Sequence, residues 1–554
     1  MGRTDGHRWG GWFRMERESG GIGRRRLLGL TGAGLGALAA SGLLAACAPP
    51  HREEDGGGQG GASPEKVTLA LPSSLSSLDV GRESGTLNYA VACLVQEGLL
   101  SVSPDGELRP GLAARWTQPD ERTYVFTLRR GVTFSDGTPL TPDDVVASVE
   151  AIRDPKNTNA LAYLYAHVTS VKVTGVLEVT VRLKKPDALF LWTVSPSGLL
   201  VSSRAFLKRH RGEVGTGKTL LLGTGAYRVT GFAADDHVLL ERNDAWWGEK
   251  PGVRTLKLDF VPDAGTRLVA MKSGAVDGAL GLASDEARGW ESAAEVTYTE
   301  DRSVVALAFD TGKAPFDDPR VRRAVAHAAD RAGMAEGILH GTAQVAAALP
   351  SPGMWGDLLP AEQVTAAYDR IALPAHDLAA ARKELAASGH PDGFTAELHY
   401  PGSGPQLGKA ALALAAELKK IGVTLKVEEI TLEQWIAELG SGKFPLQFLW
   451  YFPTTGDPAE LLDAYLHGEA EATNIARYDQ AKVTGALKAA TTETDSGKRG
   501  ALLLEAVTEA AGDLPYLPLW WASTATALSG RLALGGGDGP FALTGPWAAR
   551  LRSS

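Results

Sequence analysis

The chain of 554 residues is 44% hydrophobic and 22% charged, enough apolar material for more than one core and too much for a disordered polymer. Its 65 acidic side chains outnumber the 56 basic ones, and a formal charge of −9 argues against a protein built to grip nucleic-acid phosphates. Two cysteines, Cys47 and Cys93, cannot supply a disulfide framework or a four-thiolate zinc site, so ordinary burial has to hold the fold.

Residues 1–26 are polar and Arg-rich, and Leu27 to Ala46 then carries no charge. A membrane-spanning helix is one reading of that run. Against it, Gly29, Gly32, Gly34 and Gly36 lower hydrophobicity and helix propensity, and the run ends on Leu44-Ala45-Ala46-Cys47. That ending resembles the lipobox of bacterial lipoproteins. The resemblance implies a signal peptide over 1–46, cleavage before Cys47 and lipidation of Cys47, which would anchor the protein to the outer face of the cytoplasmic membrane. Arg24-Arg25-Arg26-Leu27-Leu28 resembles a twin-arginine (Tat) export signal, with Sec export the alternative. The Gly-rich segment that follows, over 47–65, reads as a flexible tether. No later stretch is apolar for long enough to span a bilayer.

From Val67 onward short alternating strands and amphipathic helices interleave. Tyr124, Phe126 and Leu128 alternate with polar neighbours, and Leu177, Val179, Val181 and Leu183 do the same after Val171 and Val173, which predicts a hairpin across Thr174-Gly175. Thr141-Pro142-Asp143-Asp144 offers an N-cap hydroxyl, a Pro in the first turn and a capping-box acid, so a helix is expected from there to about Ile152. Asp318-Pro319 repeats the device, with Val321, Ala324, Val325 and Ala328 on one helical face. Asp377 opens another helix, closed by Gly389 and followed by Phe394, Ala396, Leu398 and Tyr400 at strand spacing. An Ala-rich helix then ends on Lys419, Lys420 and Gly422 before the strand of Val423, Leu425 and Val427. These strand-helix-strand units favour a layered α/β sheet in the C-terminal half.

Five blocks carry a more specific signal. They are GLAARWTQPDERTYVFTLRRGVTFSDGTPLTPDDVVASVEAIRD (111–154), GTGAYRV (223–229) with ERNDAWWG (241–248), DAGTRLVAMKSGAVDGA (263–279), APFDDPRVRRAVAHAADRAGMAEGILHG (314–341) and DLAAARKELAASGHPDGF (377–394). In this order they closely resemble the family 5 extracellular solute-binding proteins, the peptide, dipeptide and nickel receptors of ABC importers. The resemblance spans about 66–525. It implies an α/β, two-lobed type II periplasmic-binding-protein-like fold with an extra inserted domain. Lobe I would comprise 66–103, 220–312 and 525–554, the inserted domain II 104–219, and lobe III 313–524. It further implies a receptor that captures a peptide or peptide-like solute by hinge closure and delivers it to a permease of two membrane subunits served by two ATPases, as a monomer and without a cofactor. Two alternatives stay open: the same role for a non-peptide solute such as an oligosaccharide, a metal chelate or a signalling molecule, and a secreted hydrolase.

The residues themselves offer little catalytic chemistry. Gly212 to Thr219 satisfies the P-loop pattern literally, but RAFLKRHR (204–211) before it is no buried strand, so nucleotide binding is not expected. The eleven His include no paired metal-ligand motif, and His167, His327 and His399 read as ordinary helix or strand residues. There is no G-x-S-x-G elbow. Cys93, in the apolar run 90–95, reads as an inert buried thiol. No catalytic or metal residue is therefore assigned.

The segment PLQFLWYFPTTGDPAELLDAY (445–465) resembles the family stretch that reaches the ligand. Peptide receptors commonly place an Asp three residues after its Trp, to pair with the peptide ammonium. Trp450 matches that Trp, but Pro453 stands at the third position, and Asp457 is the nearest carboxylate that could substitute. The other candidates are aromatic: Tyr451, Trp435, Trp355, Tyr163, Tyr165 and Tyr89, which suit stacking on apolar side chains, sugar rings or planar metabolites.

Overall fold

The structure is a computed structural model that describes residues 64–554, apart from Asp357, Glu471 and Ala472 and the side chains of Ser284 and Asp285. The expected signal peptide, the lipidated Cys47 and most of the tether lie outside the described residues. Among the described residues no helix is long and apolar enough to cross a membrane.

A nine-stranded mixed sheet organises the chain. Lys66–Leu71 pairs in parallel with Thr255–Phe260 on one side and with Gly278–Leu282 on the other, and His237–Arg242 and Tyr227–Ala233 extend it as antiparallel strands. Beyond Gly278–Leu282 come two unusually long strands, Tyr516–Leu528 and Glu295–Phe309, and then Leu446–Tyr451 at the edge. The two long strands are antiparallel partners from Glu295 opposite Leu528 to Ala308 opposite Tyr516, with irregularities after Glu300 and after Val305, so both run from one half of the sheet into the other. Their register slips midway: Glu300 faces Ser523 and Val304 faces Trp521, so residues 301–303 oppose the single residue Ala522. Such a bulge bends the strand and turns its side chains out of the ladder.

Each half has its own burial. Val304, Ala306 and Ala308 face helices Ala459–Tyr465, Ala481–Thr492 and Ser496–Asp513, whereas Val305, Leu307 and Phe309 face helices Pro319–Ala328, Arg331–Leu339 and Pro405–Lys419. Alternation at period two explains how one strand feeds two cores, and burial on both faces explains the unbroken apolar run VVALAF. Another cluster joins Val67, Leu69 and Leu71 to Leu256, Leu258 and Leu240 and continues into an extra antiparallel sheet. That sheet has the order Ala113–Asp120, Thr123–Leu128, Glu178–Leu183, Val168–Gly175.

The hairpin expected around Thr174-Gly175 is present, with Val173 opposite Val179. The helix expected from Pro142 runs to Arg153. Its capping box is complete: the Asp144 carboxylate accepts from the Thr141 amide at 2.8 Å and from its hydroxyl at 2.7 Å. Thr395–Pro401 and Thr424–Ile430 are parallel, joined by helix Pro405–Lys419, as the strand-helix-strand pattern predicts. They form a two-stranded sheet of their own rather than joining the large one. The P-loop pattern at 212–219 is a series of turns after the short helix Arg204–Arg209, with strand Tyr227–Ala233 the next regular element, so it has neither a feeding strand nor a following helix.

The glycines of the GTGAYRV block have a steric reason. A Cβ on Gly223 would stand 2.0 Å from the Val95 carbonyl oxygen, and one on Gly225 would stand 2.6 Å from that of Leu94. The close approach places Thr224 against Glu97, whose buried carboxylate accepts from the Thr224 hydroxyl at 2.7 Å, Trp247 Nε1 at 3.1 Å and Trp246 Nε1 at 3.3 Å. Trp246 and Trp247 thus have a structural partner far along the chain.

Candidate functional site

The bulge at 301–303 brings charge to the middle of the crossing strands. Arg302 sits there at φ 65°, a left-handed conformation disfavoured for a side chain with a Cβ. Its guanidinium carbon lies 4.1 Å from the centre of the Phe541 ring, which holds the plane by a cation–π contact. Its Nε and Nη1 are buried without a hydrogen-bond partner. Burial pulls the guanidinium below its ordinary pKa, opposed by Glu460, Asp301, Glu300 and Tyr89. Burial likewise pushes the carboxyls of Glu300 and Asp301 up.

Three other segments converge on this point. Tyr89, on helix Thr86–Val95, donates from its hydroxyl to the Ser197 carbonyl at 3.1 Å; burial raises its pKa well above the ordinary value, with Tyr163 and Arg302 among its electrostatic neighbours. Tyr163, in the turn Ala162–Tyr165, is pushed up to about 12 by burial and then by Glu460, opposed by a hydrogen bond with Thr454. Tyr451, the last residue of strand Leu446–Tyr451, donates to Glu460 at 2.8 Å. Glu460 is otherwise held by the amides of Thr454 at 2.9 Å and Thr455 at 2.7 Å and by the Thr455 hydroxyl at 2.7 Å, which occupies its acceptor positions. Gly456 completes the approach. A Cβ there would stand 2.7 Å from Trp192 and 2.9 Å from Phe541, so the loop before helix Ala459–Tyr465 can lie on those rings only with glycine.

Of the residues picked from sequence, Tyr89, Tyr163 and Tyr451 gather here. Trp450 is half-buried, its ring centre 5.6 Å from that of the exposed Phe452. Four picks have other duties. Asp457 is 7% exposed at its side chain and forms a two-pronged ion pair with Arg499, at 2.6 and 2.9 Å, while also capping Ala459 N at 2.9 Å. It is not free to take a ligand ammonium. Tyr165 is buried and its hydroxyl lies 3.1 Å from the Thr193 carbonyl oxygen and 3.0 Å from that of Gly198. Trp355 is buried and donates to the Tyr368 hydroxyl at 2.8 Å. Trp435 is buried among Leu398, Leu425 and Phe448. These last three are core residues because their polar atoms or faces are satisfied inside the protein.

Arg302, Glu300, Asp301, Glu460 and Phe541 were missed by sequence reasoning. EDRS (300–303) looks like any solvated charge run, and only its place in the crossing distinguishes it. Among the described residues, no group of three or more His, Cys, Asp or Glu is arranged to hold a metal ion.

This arrangement offers hydrogen-bond donors, acceptors and aromatic faces from separate segments of the chain. Residues 107–473 match the profile of the bacterial extracellular solute-binding proteins, family 5, and the chain belongs to that family, a family of non-enzymatic transport receptors. It is 28% identical to the nickel-binding periplasmic protein of Escherichia coli K12 over 301 residues, 53% of this chain and 57% of that protein, so that match spans little more than half of the relative. It is 26% identical to the probable D,D-dipeptide-binding periplasmic protein DdpA of the same strain, over 70% of this chain and 74% of that protein. The fold is that of periplasmic binding proteins. The ABC transporter-associated periplasmic binding protein DppA of Helicobacter pylori, in complex with the peptide STSA, superimposes with a TM-score of 0.70 at 21% identity, over 88% of this chain and 98% of that one.

Proposed function

We propose that the chain is a lipid-anchored receptor that captures a peptide-like solute between its two halves and delivers it, unaltered, to the permease of an ABC importer. The observation that carries this reading is the register slip in the two crossing strands, which sets Arg302 among Tyr89, Tyr163, Tyr451 and Glu460 from separate segments. One half comprises about 66–103, 220–300 and 524–554 and carries 104–219; the other comprises about 304–521. The division is drawn at the bulge instead of at 312, because the strands pass between the cores there. A solute touching both halves is bound best when they are shut, so it shifts the population toward the closed form. DdpA and the DppA–STSA complex support a peptide-like solute, and Pro453 with the occupied Asp457 implies an amine contact unlike the usual one.

Two measurements test the reading. Small-angle scattering of the full chain with a pool of di- to pentapeptides should show contraction on binding, and profiles unchanged by every peptide would sink it. Trp450 packs in part against the core around Phe448 and Trp520 and is only half-buried, so Trp450→Ala should weaken peptide binding about ten-fold or more while lowering the melting of the empty form only slightly. If the empty form instead loses several degrees, the ring is core. For the anchor, Cys47→Ser should move the protein from the membrane fraction to the soluble fraction with its melting temperature intact. A variant still on the membrane would refute lipidation at that thiol.

A further inference from the structure

We propose that a proton held between Asp463 and Asp187 latches the half over 304–521 onto the segment 104–219 carried by the other half, so that acid favours closure; this rests on the two-halved receptor reading above. The two carboxylates, one from each side, line one small cavity of about 40 Å³ together with Leu189, Leu487, Thr491 and Arg499. Asp463 lies on helix Ala459–Tyr465, and its Oδ1 is buried without a hydrogen-bond partner. Asp187 lies just before the short helix Phe190–Thr193, where its Oδ1 accepts from the Leu189 amide at 3.0 Å. The same stretch meets the far half at two further points. Leu189 packs against the cluster that contains Leu461, Leu462 and Leu487, and the Trp192 ring lies so close to Gly456 that a Cβ there would stand 2.7 Å away. A buried carboxylate oxygen with no donor is costly, and a proton is the smallest partner that answers it.

The charges around the cavity leave one negative unit unanswered. Arg499, on helix Ser496–Asp513, is taken by Asp457 at 2.6 and 2.9 Å, and its Nε is buried without a partner. Lys185, exposed, is the other cation acting on Asp463, so Asp187, Asp457 and Asp463 face two cations, and one proton balances them. The remaining groups on the packed elements do not supply it. Glu460 accepts from four donors, and Lys488 on helix Ala481–Thr492 pairs with Glu469 at 2.6 Å. Tyr124, pushed up to about 12 by burial and then by Asp187, stays neutral. His467, held below its ordinary value by burial, with Lys488 and Lys185 acting the same way, does not line the cavity. Burial pushes Asp463 up to about 7, whereas a carboxyl released to water by opening gives up its proton near 4. Closure therefore takes up a proton, and the gain, complete below about pH 4, is lost above about pH 7.

The test uses the full chain at pH 5 and pH 7.5. In the empty protein, hydrogen exchange corrected for intrinsic chemistry should show segments 186–192 and 459–466 about five-fold or more better protected at pH 5. The pool of di- to pentapeptides should also bind about five-fold or more tightly at pH 5. Asp463→Asn, close in shape and unable to titrate, should abolish both dependences, and Asp187→Asn should reduce them. Titration of His467 or of the peptides is common to wild type and variants and cancels in the comparison. Should Asp463→Asn not fold, Asp187→Asn carries the same comparison. The latch is overturned if protection depends on pH equally in wild type and in the Asn variants, and the receptor reading then stands wherever peptides bind. If protection follows pH in the wild type alone and no peptide binds, the latch stands and the peptide-like reading falls.

Discussion

Arg499→Met should lower the stability of the folded chain by about 3–5 kcal/mol at neutral pH, because it strands buried carboxylates. Asp457 and Arg499 are each 7% exposed at the side chain and paired at 2.6 Å. Asp463 and Asp187 lie near the same guanidinium, with Lys185 as a further cation. Burial pushes Asp463 up to about 7, Arg499 is the largest opposing influence, and Asp457 and Asp187 add to the rise. The sign of the pH effect follows from this. The folded state holds the Asp463 proton more tightly than the unfolded chain, so this group lowers stability as pH climbs from about 4 to 7. Deleting Arg499 strengthens that trend, and the deficit of the variant should be larger at pH 8 than at pH 5. Denaturant unfolding at the two values checks it, with Lys426→Met as control. That exposed pair, 3.4 Å from Glu397, should be worth about 0–1 kcal/mol. An Arg499→Met loss as small as the control's would mean the pair is solvated.

Trp355→Ala should cost about 3–5 kcal/mol of stability through the cavity it leaves. Trp355 is 1% exposed and meets Tyr368 edge-on, with ring centres 6.2 Å apart. Tyr368 in turn stacks on Trp521 at 5.9 Å. The Tyr368 hydroxyl accepts from Trp355 Nε1 and donates to the Pro350 carbonyl at 2.9 Å, so the indole closes a buried hydrogen-bond chain as well as filling space. The contrast with Trp450→Ala is the informative part: one Trp should cost stability, the other affinity. Unchanged denaturant unfolding for Trp355→Ala, together with lost peptide binding, would return this residue to the ligand site.

Local chemistry was legible without coordinates wherever a residue's neighbours in sequence were also its partners in space. The capping box at Thr141 and Asp144, the hairpin from Val173 to Val179 and the helix opened by Asp318 and Pro319 are of this kind. Glycine spacing in GTGAYRV marked a tight place, though not that the place was the Val95 carbonyl. The ordered blocks carried the family and the α/β architecture, because both depend on patterns repeated over hundreds of residues.

Tertiary structure alone decided which of the polar and aromatic side chains picked from sequence are taken up by partners inside the protein. Asp457 looked available until Arg499, 42 positions later, closed on it. Tyr165 and Trp355 looked like cleft aromatics until distant carbonyl and hydroxyl groups satisfied them. Arg302 looked like a surface charge until a register slip between two strands more than 200 residues apart put it against Phe541 with two donors unpaired. Composition and periodicity report which residues seek burial or water. They do not report the long-range pairing that determines whether a buried charge is answered, and in this chain that pairing sets which candidate side chains are taken and which are left without a partner.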